Sequence, residues 1–176
     1  MLFTLLITFV IVQRLFELFV AKRNEKWMLS RGAYEVGALH YPVMVAMHIG
    51  FFVTLILEVL ILDRPLSSIW IPLLSLFIFA QIIRFWCLFS LGKYWNTKII
   101  ILPGADVVRK GPYRFFRHPN YLIVTIELLV LPLIFNAFGT LFIYFILNIW
   151  MLSIRIPVEE RALREATNYS QLFSLK

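Results

Sequence analysis

Long apolar runs constrain this chain more than any other feature. Leu2 to Ala21 is interrupted only by Gln13, Arg14 and Glu17. Tyr41 to Leu62 carries a single acid, Glu58, near its end, and Ser67 to Leu91 carries Gln81 and Arg84. Each run reaches the roughly 20 residues a helix needs to cross the hydrocarbon core of a bilayer. Tyr121 to Ile154 is too long for one crossing and breaks at Asn136-Ala137-Phe138-Gly139, just after Pro132. It reads as a helical hairpin of two short spans. The expected fold is therefore all-α, an integral membrane bundle of about five transmembrane helices. The spans fall near 2–21, 41–62, 67–91, 121–135 and 138–154, within one transmembrane domain over 1–176.

Composition agrees. Hydrophobic residues make up 61% of the chain and charged residues 15%, whereas soluble domains hold about 45–50% apolar residues. Disorder and a disulfide-stapled module are excluded, and the single cysteine, Cys87, permits neither an internal disulfide nor a cysteine-based zinc site. No basic stretch precedes the first apolar run, so it does not read as a signal peptide.

The basic residues set the expected orientation. Lys22, Arg23, Lys26 and Arg31 follow the first span, and Lys93, Lys98, Arg109, Lys110, Arg114 and Arg117 follow the third. Arg155, Arg161, Arg164 and Lys176 follow the fifth. With five spans these residues share one side, which the positive-inside rule makes the cytoplasm, leaving the N-terminus outside. The net charge of +7 is explained by this asymmetry, and no nucleic-acid partner is expected. The localisation implied is a cytoplasmic membrane, multi-pass.

Charges inside spans cost about 2.5–3.5 kcal/mol each on insertion scales, so they need partners. Arg14 and Glu17, three apart, can pair on one helix face. Glu127, about two turns into the fourth helix, faces the bundle interior, toward Arg84 or a bound cation. Glu58, near the outer edge, reads as solvated. His40 and His48 are two turns apart, too far to share a metal, and no metal is expected. Neither a G-x-S-x-G elbow nor a glycine-rich nucleotide loop occurs.

Two clusters carry chemistry. Gly111-Pro112-Tyr113-Arg114-Phe115-Phe116-Arg117-His118-Pro119-Asn120-Tyr121 lies immediately before a membrane helix. Proline keeps His118 extended, and a helix start offers backbone N–H groups to an anion, reinforced by Arg117 and His118. An aromatic, basic membrane-surface anchor would have the same composition. The second cluster, Arg155-Ile156-Pro157-Val158-Glu159-Glu160-Arg161, lies where the fifth span ends. Adjacent glutamates diverge by about 100° on a helix and can serve different partners, one of them an ammonium or sulfonium cation. An exit helix with a Glu160–Arg164 pair is the plainer alternative. Because a hairpin joins the two clusters, its ends are expected to return to one face, bringing the clusters together.

The run Gly-Pro-Tyr-Arg-x-x-Arg-His-Pro-Asn-Tyr at 111–121, a hairpin of some forty residues, Glu159-Glu160 and a later Tyr169 resemble the isoprenylcysteine carboxyl methyltransferase family. The resemblance covers about 85–173 and implies a membrane-embedded O-methyltransferase using S-adenosyl-L-methionine. It implies that Arg117, His118, Pro119, Asn120, Tyr121 and Leu122 contact the cofactor, with Glu159 or Glu160 at its ammonium or ribose end. Arg155 and Glu159 are the expected catalytic pair, Arg155 holding the acceptor oxyanion. Pro157-Val158 stands where eukaryotic members carry further acids, and the short chain resembles bacterial members. The implied acceptor is a lipophilic molecule entering from the bilayer, with a carboxylate or enolic hydroxyl, such as a long-chain alkylpyrone. Tyr121 and Trp150 could favour a sulfonium through their rings. Alternatives are a phospholipid or amine N-methyltransferase, an NADPH-dependent sterol-type reductase with a similar R-H-P-N-Y stretch, and a small membrane scaffold or transporter subunit.

Overall fold

A computed structural model describes residues 1–172. Lys176, counted among the tail's basic residues, and Phe173, the end of the 85–173 stretch, lie outside the described residues. The order of elements is α1 (Leu2–Leu29), β1 (Tyr34–Val36), α2 (His40–Ile61), α3 (Trp70–Leu91), β2 (Ile99–Ile101), α4 (Pro119–Ile134), α5 (Phe138–Ala166) and the short α6 (Tyr169–Leu172). Of the described helices, α1, α2, α3 and α5 are long and apolar enough to cross a membrane, and α4 is a shorter apolar helix. The protein is an α-helical, multi-pass membrane protein.

Contacts divide the chain into two compact units. One comprises Met1–Pro42, Leu91–Arg109 and the chain from Ser153; the other comprises Val43–Ser90 and Lys110–Leu152. The first holds α1, the strands and the last part of α5, and is called here the sheet unit. The second, the helical unit, holds most of α2, α3, α4 and the first part of α5.

In the sheet unit, α1 runs past the expected end at residue 21 to Leu29. At about 1.5 Å per residue its 28 residues span about 42 Å, more than a hydrocarbon core of about 30 Å. Within it, Glu17 is 2% exposed, and its carboxylate accepts from Arg14 at 2.6 Å and from Gln13 at 3.1 Å. The expected Arg14–Glu17 pair forms. The antiparallel β1–β2 ladder pairs Tyr34 with Ile101 and Val36 with Ile99. This small sheet departs from an all-α reading in detail only. Three β-branched residues in a row suit a strand, and alternation turns Ile99 and Ile101 toward Ala162, Val158, Leu163 and Ala166 of α5. The end of α5 is tied down by Gly104 N–H donating to Ala166 O at 2.9 Å.

In the helical unit, the hairpin breaks where the sequence indicates. Helix α4 ends at Ile134, Asn136 adopts a left-handed φ of 52°, and Ala137 N–H returns to Pro132 O at 2.9 Å. Asparagine tolerates that conformation better than other side chains with a Cβ. Helix α5 then starts without a capping side chain of its own sequence. Glu58 of α2 supplies one: its carboxylate accepts from Gly139 N–H at 3.1 Å, Thr140 N–H at 2.7 Å and the Thr140 hydroxyl at 2.8 Å. This corrects the reading of Glu58 as merely solvated. A helix start has orphan N–H donors and a positive dipole end, and a carboxylate satisfies both.

Candidate functional site

The signature at 111–121 belongs to the helical unit. Gly111 opens it with φ 54°, and a Cβ there would lie 2.7 Å from Trp86 Nε1 and nearer still to Ser90 Oγ. Only glycine fits that backbone and that space. A 3-10 turn over Gly111–Arg114 follows, with Pro112 buried. Tyr113 packs on the Ala80, Cys87 and Ile123 cluster, which pins the segment against α3 and α4. Arg114, Phe115, Phe116 and Arg117 are exposed. His118 is half-buried at the N-cap of α4 (φ −128°, ψ 61°), and no side chain caps the helix start. Pro119 is buried at the first helical position, where a missing N–H costs nothing. The His118 and Tyr121 rings stack with centroids 5.5 Å apart and planes 25° apart. Asn120 Oδ1 is buried without a hydrogen-bond partner, and Leu122 is 45% exposed.

Polar bonds inside the unit hold α4. Glu127, 4% exposed, accepts from Arg84 at 3.1 Å and from Gln81 at 2.7 Å. The interior partner of Glu127 is thus Arg84. On the other flank Asn148 of α5 donates to the Thr125 hydroxyl at 2.9 Å, and Thr125 in turn donates to Tyr121 O at 2.9 Å. Tyr121 therefore has its backbone fixed one turn into the helix.

Arg155, Glu159 and Glu160 belong to the sheet unit. Helix α5 does not end at 154 but continues through Pro157 to Ala166. Pro157 removes the bond that position 157 would donate to Ser153 O. Glu159 and Glu160 are half-buried, and Glu160 accepts from Arg164 at 2.7 Å, the expected i,i+4 pair. Arg155 is only 3% exposed. Its Nη2 donates to Thr97 O at 3.0 Å, its Nε is buried without a partner, and no acidic side chain among the described residues pairs with it.

Around Arg155 the loop before β2 gathers residues that the sequence alone did not single out. Asn24 donates to Gly92 O at 3.0 Å and Trp95 O at 2.7 Å. The Thr97 hydroxyl lies 3.2 Å from the Tyr41 hydroxyl. Lys98 donates to Glu25 at 2.9 Å and Glu35 at 3.0 Å, which raises its pKa above the usual lysine value, the Glu25 bond first and the Glu35 bond second. These contacts join positions up to 73 apart in sequence, beyond the reach of any local pattern. The two clusters of the sequence thus stand in different units, Arg117 to Leu122 in one and Arg155, Glu159 and Glu160 in the other. No group of three metal-ligating side chains occurs among the described residues.

Comparison with known proteins places the chain. The uncharacterized protein YpbQ of Bacillus subtilis (strain 168) is 46% identical over 163 residues, 93% of this chain and 97% of its own. An uncharacterized protein of Haemophilus influenzae is 30% identical over 151 residues, 85% of this chain and 88% of its own. Residues 73–165 match the isoprenylcysteine carboxyl methyltransferase (ICMT) family, whose members are membrane-embedded methyltransferases that use S-adenosylmethionine. That stretch contains the glycine-led turn, the capless start of α4 and the buried arginine of α5, and the chain belongs to this family.

Proposed function

We propose that this protein methylates an oxygen of a lipophilic acceptor, a carboxylate or an acidic, enolic hydroxyl. The observation that carries the choice of oxygen is Arg155. A buried guanidinium with a carbonyl as its described partner keeps a full charge that favours an anion and disfavours an ammonium. An amine acceptor would bring a second positive charge, or a neutral nitrogen whose single lone pair must attack the methyl group and cannot also accept from the guanidinium. Arginine's planar fork suits a carboxylate or enolate, which is already ionised near neutral pH and needs no strong base.

S-adenosyl-L-methionine supplies an electrophilic methyl group on a sulfonium when bound. The polar groups at the start of α4 fit such a group: the buried Asn120 Oδ1 offers an acceptor to an N–H or O–H, and the N-cap His118 makes no side-chain bond to the helix's first N–H groups. In this reading Arg117, His118, Pro119, Asn120, Tyr121 and Leu122 hold the cofactor, and Glu159 or Glu160, in the sheet unit, offers a carboxylate to a cation or a ribose hydroxyl. The His118–Tyr121 stack offers a ring face to positive charge. Arg155 orients the acceptor oxygen, and alignment of the two reacting atoms supplies most of the rate. The basic loops lie in the cytoplasm and the N-terminus outside, so the cofactor arrives from water and the acceptor from lipid.

Calorimetry of the detergent-purified protein with S-adenosylhomocysteine, and NADPH in parallel, tests the reading. Micromolar binding of S-adenosylhomocysteine alone, lost in His118→Ala, supports it, and methyl uptake by long-chain acids or hydroxypyrones would then identify the acceptor. Binding of NADPH alone would move the protein to the reductases.

A further inference from the structure

We propose that Tyr41 and Thr97 complete the anion site of Arg155 and that the three residues together select an oxyanion headgroup on a lipophilic molecule. Taking that headgroup as the methyl acceptor rests on the reading above, whereas the site itself rests on the sheet unit alone.

Donors outnumber acceptors around Arg155. Arginine carries five N–H donors and no acceptor. One, on Nη2, goes to Thr97 O at 3.0 Å, and the Nε donor is buried and unspent. Thr97 links this arginine to a second polar group, because the residue that receives Nη2 through its carbonyl also presents a hydroxyl to Tyr41 at 3.2 Å. Two hydroxyls bring two protons to that pair, and their mutual bond consumes one. Whichever residue donates, one O–H remains available from a side chain that is itself only half-exposed. The neighbouring charge points the same way. Lys98 Nζ lies 5.5 Å from the Tyr41 ring centroid, and the charges of Glu25 and Glu35 are engaged by that lysine rather than by Arg155. A buried guanidinium, an unspent hydroxyl proton and, among the described residues, no carboxylate on the guanidinium make a site short of acceptors. A carboxylate or enolate oxygen is what such a site lacks, and an alcohol or ammonium head supplies less or nothing.

The probes are hexadecanoate, hexadecanol and hexadecylammonium, titrated into the full chain in phosphatidylcholine nanodiscs with empty nanodiscs subtracted. Hexadecanoate is expected to bind at least about tenfold tighter than either other probe, since hydrogen bonds to charged groups carry that order of discrimination. The double variant Tyr41→Phe/Thr97→Val, which removes both hydroxyls and with them the unspent proton, is expected to weaken hexadecanoate by about three- to tenfold. Thr97→Ser, which keeps the hydroxyl, should not, and S-adenosylhomocysteine binding should not move in either variant. Arg155→Met should abolish hexadecanoate binding. If that variant fails to fold, the near-isosteric double variant still decides. Equal binding of the three probes, or hexadecanoate affinity untouched in the double hydroxyl variant, would overturn the proposal. A chain that selects hexadecanoate but binds no S-adenosylhomocysteine would keep the anion site and sink the methyltransferase reading.

Discussion

The Glu127 carboxylate meets the Arg84 guanidinium at 3.1 Å with both side chains 6% exposed, deep inside the helical unit. The value of such a pair lies less in its attraction than in what removing one partner leaves behind. Glu127→Ala strands a buried arginine charge and is expected to cost about 3–5 kcal/mol. The double variant Arg84→Met/Glu127→Leu should recover most of that loss, because an apolar pair of similar volume is close to neutral. Thermal unfolding of the three proteins in one detergent checks this, and a double variant no more stable than Glu127→Ala would refute it.

Gly111 and Gly104 separate backbone strain from crowding. Both have positive φ, 54° and 72°, but a Cβ at 104 meets nothing within 4 Å while one at 111 meets Trp86 and Ser90. Gly104→Ala should cost about 1 kcal/mol. Gly111→Ala should cost about 2 kcal/mol or more, from strain and overpacking together, and should weaken S-adenosylhomocysteine binding as well. Similar melting points for the two would sink this account.

Capping by Glu58 is distinguishable from its ion pair with Arg64. Three donors at the start of α5 depend on the Glu58 carboxylate, whereas Arg64 reaches it at 3.2 Å with a side chain 35% exposed. Glu58→Ala is expected to lose about 1–2 kcal/mol and Arg64→Ala less than about 0.5 kcal/mol. A larger loss at Arg64 would assign the stabilisation to the pair instead.

Lys98 sets a pH limit on the sheet unit. Its folded pKa lies above the ordinary 10.5 because of the bonds to Glu25 and Glu35. The stabilisation from this shift is fully present below the unfolded value and is lost as pH rises through the higher folded one. The native protein should therefore lose stability at strongly alkaline pH more steeply than Lys98→Met does. Parallel denaturant midpoints for the two proteins above pH 10.5 would contradict the assignment.

What the sequence reveals here is set by the range of each interaction. The hairpin break at Asn136, the Arg14–Glu17 pair and the Glu160–Arg164 pair depend on neighbours within a turn or two, and helical periodicity locates them. Glu127 could be given an interior partner because an intramembrane charge leaves few choices. The β1–β2 ladder could not be read, since three residues per strand are too few for alternation to declare itself. The capping role of Glu58 has no local signal, because the donors it caps lie 81 and 82 residues away. Tyr41 and Thr97 likewise carry no local signal, sitting 56 positions apart in segments whose composition is ordinary.

Helix α4, which begins at the signature and is held by Glu127, has 16 residues, about 24 Å of rise against a hydrocarbon core of about 30 Å. A helix of that length crosses a bilayer where the lipid thins locally, flanking residues snorkel or neighbouring helices shield it, at a cost of fractions of a kcal/mol per Å. Bilayer thickness thereby becomes a control variable for this protein: membranes of shorter acyl chains fit α4 without deformation, and thicker ones tax it.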